Sequence, residues 1–305
     1  MTALVTGGAG FIGSHLVDAL VSRGDRVRIL DDLSTGRREH LRPDADFTKG
    51  SVVDRAALDG LMKGVDTVFH LAAVVSVQQC LSDPAGSNEV NVTGVVRVLQ
   101  SAAAAGVRRV VFASSAAVYG DTPAPRKRED QAPDPLSPYA VAKLAGERMG
   151  LTFPGVEFVA LRFFNVYGPR QTPDSPYAAV VPIFLAALEA GRPLPVFGDG
   201  TQTRDFTYVG DVVSGLLLAA DAPGRQGRVY NLAAGRAVSV ADLAHALGRA
   251  AGRRVELEFR PPRPGEIVHS LADVEAARNE LGFRPRIPLD EGLAEAVRWY
   301  RSRES

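Results

Sequence analysis

The N-terminal stretch "ALVTGGAGFIGSHLVDALVSRG" limits the possible folds of this chain more than any other. It reads as a short apolar strand, a glycine turn and an amphipathic helix. Gly7, Gly10 and Gly13 give the spacing G-x-x-G-x-x-G. Glycine patterns are common in loops, but a strand before and a helix after supply the context that gives this one meaning. A turn without side chains lets backbone N–H groups approach a pyrophosphate at the helix N-terminus. The second strand, "RVRILD", ends in Asp31. A carboxylate at that distance accepts hydrogen bonds from a ribose 2′-hydroxyl and repels a 2′-phosphate. The pattern predicts NAD rather than NADP, although Arg37 and Arg38 follow closely. Asp32 reads first as a turn residue and second as a cofactor contact.

The same alternation continues along the chain. "ADFTKG", "DTVFHLAA", "RRVVFASS" and "VEFVALRFFN" read as further strands, and a helix is expected from about Pro84 to Ala105. Strands alternating with helices imply an α/β fold with a Rossmann-like, doubly wound parallel sheet. In the less regular second half, helices are expected near 176–190, 208–221, 239–250 and 290–302, and strands near 194–197, 228–231 and 255–259. This predicts a smaller, interleaved α/β substrate lobe. We assign 1–165 and 205–234 to the cofactor domain, and 166–204 and 235–305 to the lobe.

Composition excludes several classes. The chain has 305 residues, 46% of them hydrophobic, enough for a large core. Lys+Arg and Asp+Glu balance at 35 each, so there is no electrostatic case for nucleic-acid binding. No apolar run is long enough to span a membrane, and the N-terminus lacks the features of a signal peptide. The single cysteine, Cys80, allows no intrachain disulfide, and a cytoplasmic location is expected. No His/Cys/Asp cluster has metal-ligand spacing. The Pro- and charge-rich segment 121–138 is too short for a linker and reads as a functional loop.

That loop ends in "SPYAVAK". Ser137 is a good N-cap and Pro138 suits the first helical position. Tyr139 and Lys143, four apart, then share a helix face. Strand carboxyl ends face the ligand crevice in a doubly wound sheet. Ser115, at the end of the fifth strand, can therefore meet this pair beside the nicotinamide end of the cofactor. A phenol titrates near pH 10, so acting as a base at neutral pH needs a shift of roughly 3 units, about 4 kcal/mol. One cation about 5 Å away supplies roughly 3 kcal/mol at an effective dielectric near 20. Lys143 and an oxidised nicotinamide together suffice, and the sequence predicts a charge-lowered phenol at Tyr139.

The set "TGGAGFIG", "SSAAVYG", "SPYAVAK" and "LRFFNVYGPR" resembles the extended short-chain dehydrogenase/reductase family, in its nucleotide-sugar branch, over nearly the whole chain. The resemblance implies that Tyr139 exchanges a proton with a sugar hydroxyl, Ser115 hydrogen-bonds the same oxygen, and Lys143 also holds the nicotinamide ribose. It implies cofactor contacts from Phe11, Ile12, Ser51, Val52, Leu71, Ala72 and Ala73 as well. It further implies substrate contacts from Asn165, Val180, Phe197, Arg204, Arg263, Glu266 and Ser270. Arginine forks suit a diphosphate because they bind its oxygens bidentately. The dehydratases of the branch carry an Asp-Glu pair where this chain has Ala116 and Ala117, which argues against dehydration. Asp31 disfavours a reductase using exchangeable NADPH. The expected reaction is therefore 4-epimerisation of a UDP-hexose. UDP-uronates or dTDP-sugars are alternative substrates, and a non-catalytic dinucleotide-binding scaffold is the non-enzyme alternative.

Ser270 stands where epimerases strict for UDP-glucose can carry tyrosine, so room for a 2-acetamido group is expected. The chain departs from the pattern at Ser51, where an aspartate is usual, and at Val75, where some epimerases place a lysine. Asn91 reads as structural as readily as functional, and His70, in the fourth strand, reads as structural. Branch members pair two equivalent helices across a two-fold axis, which implies a homodimer here.

Overall fold

Parallel strands buried on both faces need almost unbroken apolar runs. The chain supplies six sheet strands by residue 163, most of them such runs and one, at the sheet edge, half-exposed. In the computed structural model, which describes residues 1–173, 179–224, 226–262 and 267–304, they are β1 (Thr2–Thr6), β2 (Arg26–Asp31), β3 (Asp46–Lys49), β4 (Thr67–His70), β5 (Arg109–Ser115) and β6 (Glu157–Phe163). Four short strands follow: β7 (Val166–Tyr167), β8 (Leu194–Phe197), β9 (Thr203–Asp205) and β10 (Thr207–Tyr208). The last three are β11 (Arg228–Leu232), β12 (Ala237–Ser239) and β13 (Leu257–Arg260). Seven strands form one parallel sheet in the order β11-β6-β5-β4-β1-β2-β3. The order reverses between β1 and β4, the switch point where such sheets bind ligands.

The period of two in a strand sends neighbouring residues to opposite faces. Val5, Ile29 and Phe69 enter one core, together with Leu16 of α1 (Phe11–Ser22). Leu4, Leu30 and Val68 enter the other core. Leu58 joins that second face from α2 (Arg55–Leu61). The helix expected over 84–105 is present from Pro84 to Ala104 and widens at one turn. After α3 (Val77–Ser82) come α4 (Pro84–Asn88), a wide turn at Glu89–Thr93, and α5 (Gly94–Ala104). The wide turn buries Asn91, which accepts from the Val74 N–H at 2.8 Å and donates to its carbonyl at 2.9 Å. Single wide turns of this kind recur at functional sites.

The Tyr–Lys helix is α6 (Pro138–Thr152), and Ser137 caps it by accepting from the Ala140 N–H at 3.2 Å. The remaining helices are α7 (Val180–Glu189), α8 (Val209–Asp221), α9 (Val240–Ala251) and α10 (Leu289–Glu304). α8 returns to the main sheet through Val212 and Leu216. α7, α9 and α10 share a separate core around Phe184, Leu243, Leu247 and Leu293. β8 pairs with β13, β9 with β12, and β7 with β10. The Pro-rich loop is stitched to the C-terminal part of the chain: the Lys127 N–H donates to the Leu271 carbonyl at 2.8 Å, and the Asp273 N–H to the Lys127 carbonyl at 2.9 Å. No described helix is long and apolar enough to cross a membrane.

Candidate active site

The glycine turn is built from backbone contacts. Gly7 has φ +72°, a region that favours glycine, and its N–H donates to the Leu30 carbonyl at 2.9 Å. A Cβ on Gly13 would lie 2.0 Å from the Gly7 oxygen, so the first turn of α1 sits directly on the strand end. Gly10 is the N-cap and offers no side-chain hydrogen bond, which leaves the first N–H groups of the helix, including those of Phe11 and Ile12, without a side-chain acceptor. Asp31 reaches across from β2, accepting from the Ala9 N–H at 2.9 Å and the Leu33 N–H at 2.8 Å. Burial pushes its carboxyl above the usual range, against the pull of those two N–H bonds. Asp32 is exposed and caps its own turn through the Ser34 N–H at 2.9 Å.

Leu71–Ala73 close the turn from the β4 side: a Cβ on Gly7 would stand 2.8 Å from the Ala72 nitrogen. The Ala72 N–H donates to the Thr6 hydroxyl at 3.3 Å, and that hydroxyl is 2.7 Å from His70 Nδ1. His70 is thus a buried strut. Desolvation, and then the Lys143 ammonium, hold it neutral, with a pKa of about 3. Ser51 Oγ accepts from the Val53 N–H at 3.4 Å, and Val52 is buried. The side-chain-free cradle, the uncapped helix end and the carboxylate fit a dinucleotide of the NAD type.

Ser115, Tyr139 and Lys143 come together at the end of β5. The Ser115 hydroxyl lies close enough to the Tyr139 phenol to favour its ionised form. Lys143 is buried, donates to the Ala113 carbonyl at 2.8 Å, and lies 5.8 Å from the centre of the Tyr139 ring. The expected charge-lowered phenol is not what the protein alone provides. Desolvation pushes Tyr139 up to about 12, against the pull of the nearby Ser115 hydroxyl. It pulls Lys143 down to about 8, against the negative potential of Cys80 and Glu147. The sequence shows the charges but not the burial that opposes them.

A second cleft, of about 220 Å³, opens beyond this pair and is lined by Asn165, Val180, Phe197 and Arg204, four of the expected substrate contacts. Val166, Phe184, Gln202 and Phe206 are among the other residues of its walls. Asn165 holds φ +26°, a strained value for a residue with a side chain. Arg204 donates to the Thr203 carbonyl at 2.9 Å. Its neighbour Asp205 is fully buried and accepts from the Ala234, Gly235 and Ala272 N–H groups at 3.0, 3.1 and 3.2 Å, which makes it a strut. Desolvation raises its carboxyl to about 6. Ser270 is buried beside β9, its N–H donating to the Thr203 carbonyl at 3.1 Å. Arg263 and Glu266 lie outside the described residues. The sequence reading missed Glu147, Arg162, Tyr119 and Asn231, a buried polar chain behind the catalytic helix. Glu147 follows Lys143 by four positions, the one signal that could have found it.

Comparison with known proteins agrees with this geometry. Residues 3–233 match the model of the NAD dependent epimerase/dehydratase family. UDP-glucose 4-epimerase of Mycolicibacterium smegmatis is 43% identical, with 99% of each chain aligned. The structure of UDP-glucose 4-epimerase from Thermotoga maritima with UDP-glucose superposes with a TM-score of 0.95 at 36% identity, covering 100% of both chains. That of UDP-N-acetylglucosamine 4-epimerase from Methanobrevibacter ruminantium, in complex with UDP-N-acetylmuramic acid, superposes at 0.94 and 36%, covering 99% and 98%. The cofactor is NAD, and the chain is an enzyme that belongs to the NAD-dependent epimerase/dehydratase family.

Proposed function

We propose that this protein interconverts the C4 epimers of a UDP-hexose, UDP-glucose and UDP-galactose, with NAD bound throughout the cycle. The observation that carries the reading is the meeting of Ser115, Tyr139 and Lys143 between the glycine turn and the cleft lined by Asn165, Phe197 and Arg204. NAD supplies a hydride acceptor that returns the hydride to the sugar. Tyr139 exchanges the proton of the 4-hydroxyl, and Ser115 holds the same oxygen. Lys143 contributes positive charge beside the phenol, and the charge of the oxidised cofactor adds to it. Arg204 and Asn165 face the diphosphate, while Phe197 and Val180 offer an apolar wall to the base. A firm grip on the nucleotide and a loose one on the sugar let one site serve both faces.

Ala116 and Ala117 follow Ser115 with methyl groups, which cannot remove or donate a proton, so loss of water is disfavoured. Ser270 is small, which favours acceptance of a 2-acetamido sugar beside the plain hexose. A homodimer through α6 also fits, since Val141 and Met149 leave 52% and 39% of their surface exposed on that helix.

The test is incubation with a panel of nucleotide sugars, without added cofactor, read by NMR. Interconversion of UDP-glucose and UDP-galactose is expected. Tyr139→Phe should lower the rate by about 10²- to 10⁴-fold, the span of general acid–base catalysis. Turnover of none of the UDP-hexoses, or a Phe variant as fast as the parent, refutes the reading.

A further inference from the structure

Three residues of α6, spaced four apart, face three consecutive residues of β5. Tyr139 meets Ser115, Lys143 meets Ala113, and Glu147 accepts a hydrogen bond from the Ser114 hydroxyl. The first two contacts belong to the site described above. The third has no part in it yet, although it is the most deeply buried of the set.

Glu147 has its remaining acceptor capacity taken up by Arg162 of β6. Nε donates to Oε1 at 2.9 Å and Nη2 to Oε2 at 2.7 Å, with the two side chains only 3% and 1% exposed. The strand register sets Arg162 directly beside Ser114. The guanidinium lies 4.6 Å from the centre of the Tyr119 ring. The Tyr119 hydroxyl donates to Asn231 Oδ1 at 2.7 Å, and the Asn231 amide donates to the Lys127 and Asp273 carbonyls, both at 2.9 Å. A continuous polar chain thus runs from the catalytic helix through β6 and β11 to the segment that follows Ser270.

A buried ion pair is a poor way to gain stability, because desolvation consumes most of the attraction. Apolar packing already holds α6 to the sheet: Phe112 and Phe158 lie where Cβ atoms on Gly146 and Gly150 would be. Such packing is non-directional. A carboxylate with three donors is directional, and it fixes how far the helix slides along the strand. Side chains alternate along β5, so holding the Ser114 hydroxyl on one face sets the backbone that aims Ser115 on the other.

We propose that Glu147, locked by Arg162, is a positioning residue for proton transfer: it fixes the end of β5 behind Ser115 and places a negative charge one helical turn from the Lys143 ammonium. This rests on the reading that Ser115, Tyr139 and Lys143 exchange the proton. The charged and titratable groups around Lys143 are Tyr139 and Glu147 on its own helix, Cys80 from α3 and His70 from β4, with Arg162 from β6 behind Glu147. Burial lowers the Lys143 pKa, while Cys80 and Glu147 raise it. Loss of the Glu147 charge therefore lowers the pH at which Lys143 gives up its proton, and the alkaline limb of the rate profile moves to lower pH.

The deciding variant is the double replacement Glu147→Leu/Arg162→Met, which removes both charges and strands neither. The full-length protein is assayed for UDP-hexose turnover across pH, for UDP affinity by calorimetry and for melting temperature. The expected result is a folded protein with UDP affinity within twofold of the parent, kcat at least tenfold lower, and the alkaline limb displaced to lower pH. A folded double variant with parental kcat and pH profile overturns the proposal. Ser114→Ala covers the case in which the double variant does not fold. It leaves the ion pair and its charge in place, and should lower kcat about three- to tenfold with UDP affinity and the pH limb unmoved; kcat within twofold of the parent overturns the positioning role. Absence of turnover in the parent refutes the functional reading and this proposal together. Parental turnover matched by the variants refutes this proposal alone.

Discussion

The cofactor side and the substrate side of the crevice are made by different means. Around the glycine turn, backbone meets backbone: Gly7 N–H on the Leu30 carbonyl, Gly10 N–H on the Gly7 carbonyl, Gly13 against the Gly7 oxygen. The cleft beyond Tyr139 is walled by side chains from β8, β9, α7 and the residues after β6. A backbone cradle tolerates almost no added atom, whereas a side-chain cleft tolerates change at any single wall. Substitutions on the two sides should therefore differ in kind as well as size.

The largest effect is expected from Gly13→Ala. The new Cβ would stand 2.0 Å from a backbone oxygen, which cannot move without β1 and α1 separating. Overpacking of this kind costs up to about 3 kcal/mol, occasionally more. That corresponds to a fall in melting temperature of roughly 5 °C for a chain of this size. The variant should also lose bound NAD, measured by absorbance of the cofactor released on denaturation. A variant with parental melting temperature and NAD content would erase the contrast between the two sides.

An intermediate effect is expected from Arg204→Ala. Hydrogen bonds to a charged group contribute about 1.5–3 kcal/mol, so UDP affinity should fall roughly 10- to 150-fold. Its hydrogen bonds to the Thr203 and Val268 carbonyls are part-buried and exposed, so the fold should hold. Calorimetry with UDP and a melting curve check both halves. If NAD content falls as far as UDP affinity, the two sides are not separable.

The same contrast explains what could be read from the sequence. A backbone cradle leaves a trace in the chain because only glycine satisfies it, and the acid at the end of β2 falls at a fixed distance. The central sheet strands were legible because burial on both faces makes them apolar runs, whereas β3, at the edge, is half-exposed. β7, β9, β10 and β12 span only two or three residues, too few for any period to show. The contact between Lys127 and Leu271 joins positions more than a hundred residues apart, with nothing local to announce it. Nothing local marks Glu147 and Arg162 as a buried pair, since sequence gives charge and not burial. The same blindness to desolvation made the phenol of Tyr139 look lowered, when the folded protein raises it to about 12.

The smallest effect, and the sharpest test of the side-chain cleft, belongs to Asn165→Gly. Asn165 holds φ +26°, and its carbonyl accepts from the Thr207 N–H at 3.2 Å, which ties it to β10. Glycine removes the strain, worth about 1 kcal/mol or somewhat more. It also frees the unfolded chain, which costs roughly 0.5–1 kcal/mol. The two nearly cancel, so the melting temperature should move by no more than about 2 °C. If the side chain faces the diphosphate, one ordinary hydrogen bond is lost, about 0.5–1.5 kcal/mol, and UDP should bind roughly 2- to 13-fold more weakly. The stability change is near zero whatever the strain is for, so UDP binding alone decides: unchanged binding means a residue strained only by the fold, and weaker binding means a side chain that holds ligand.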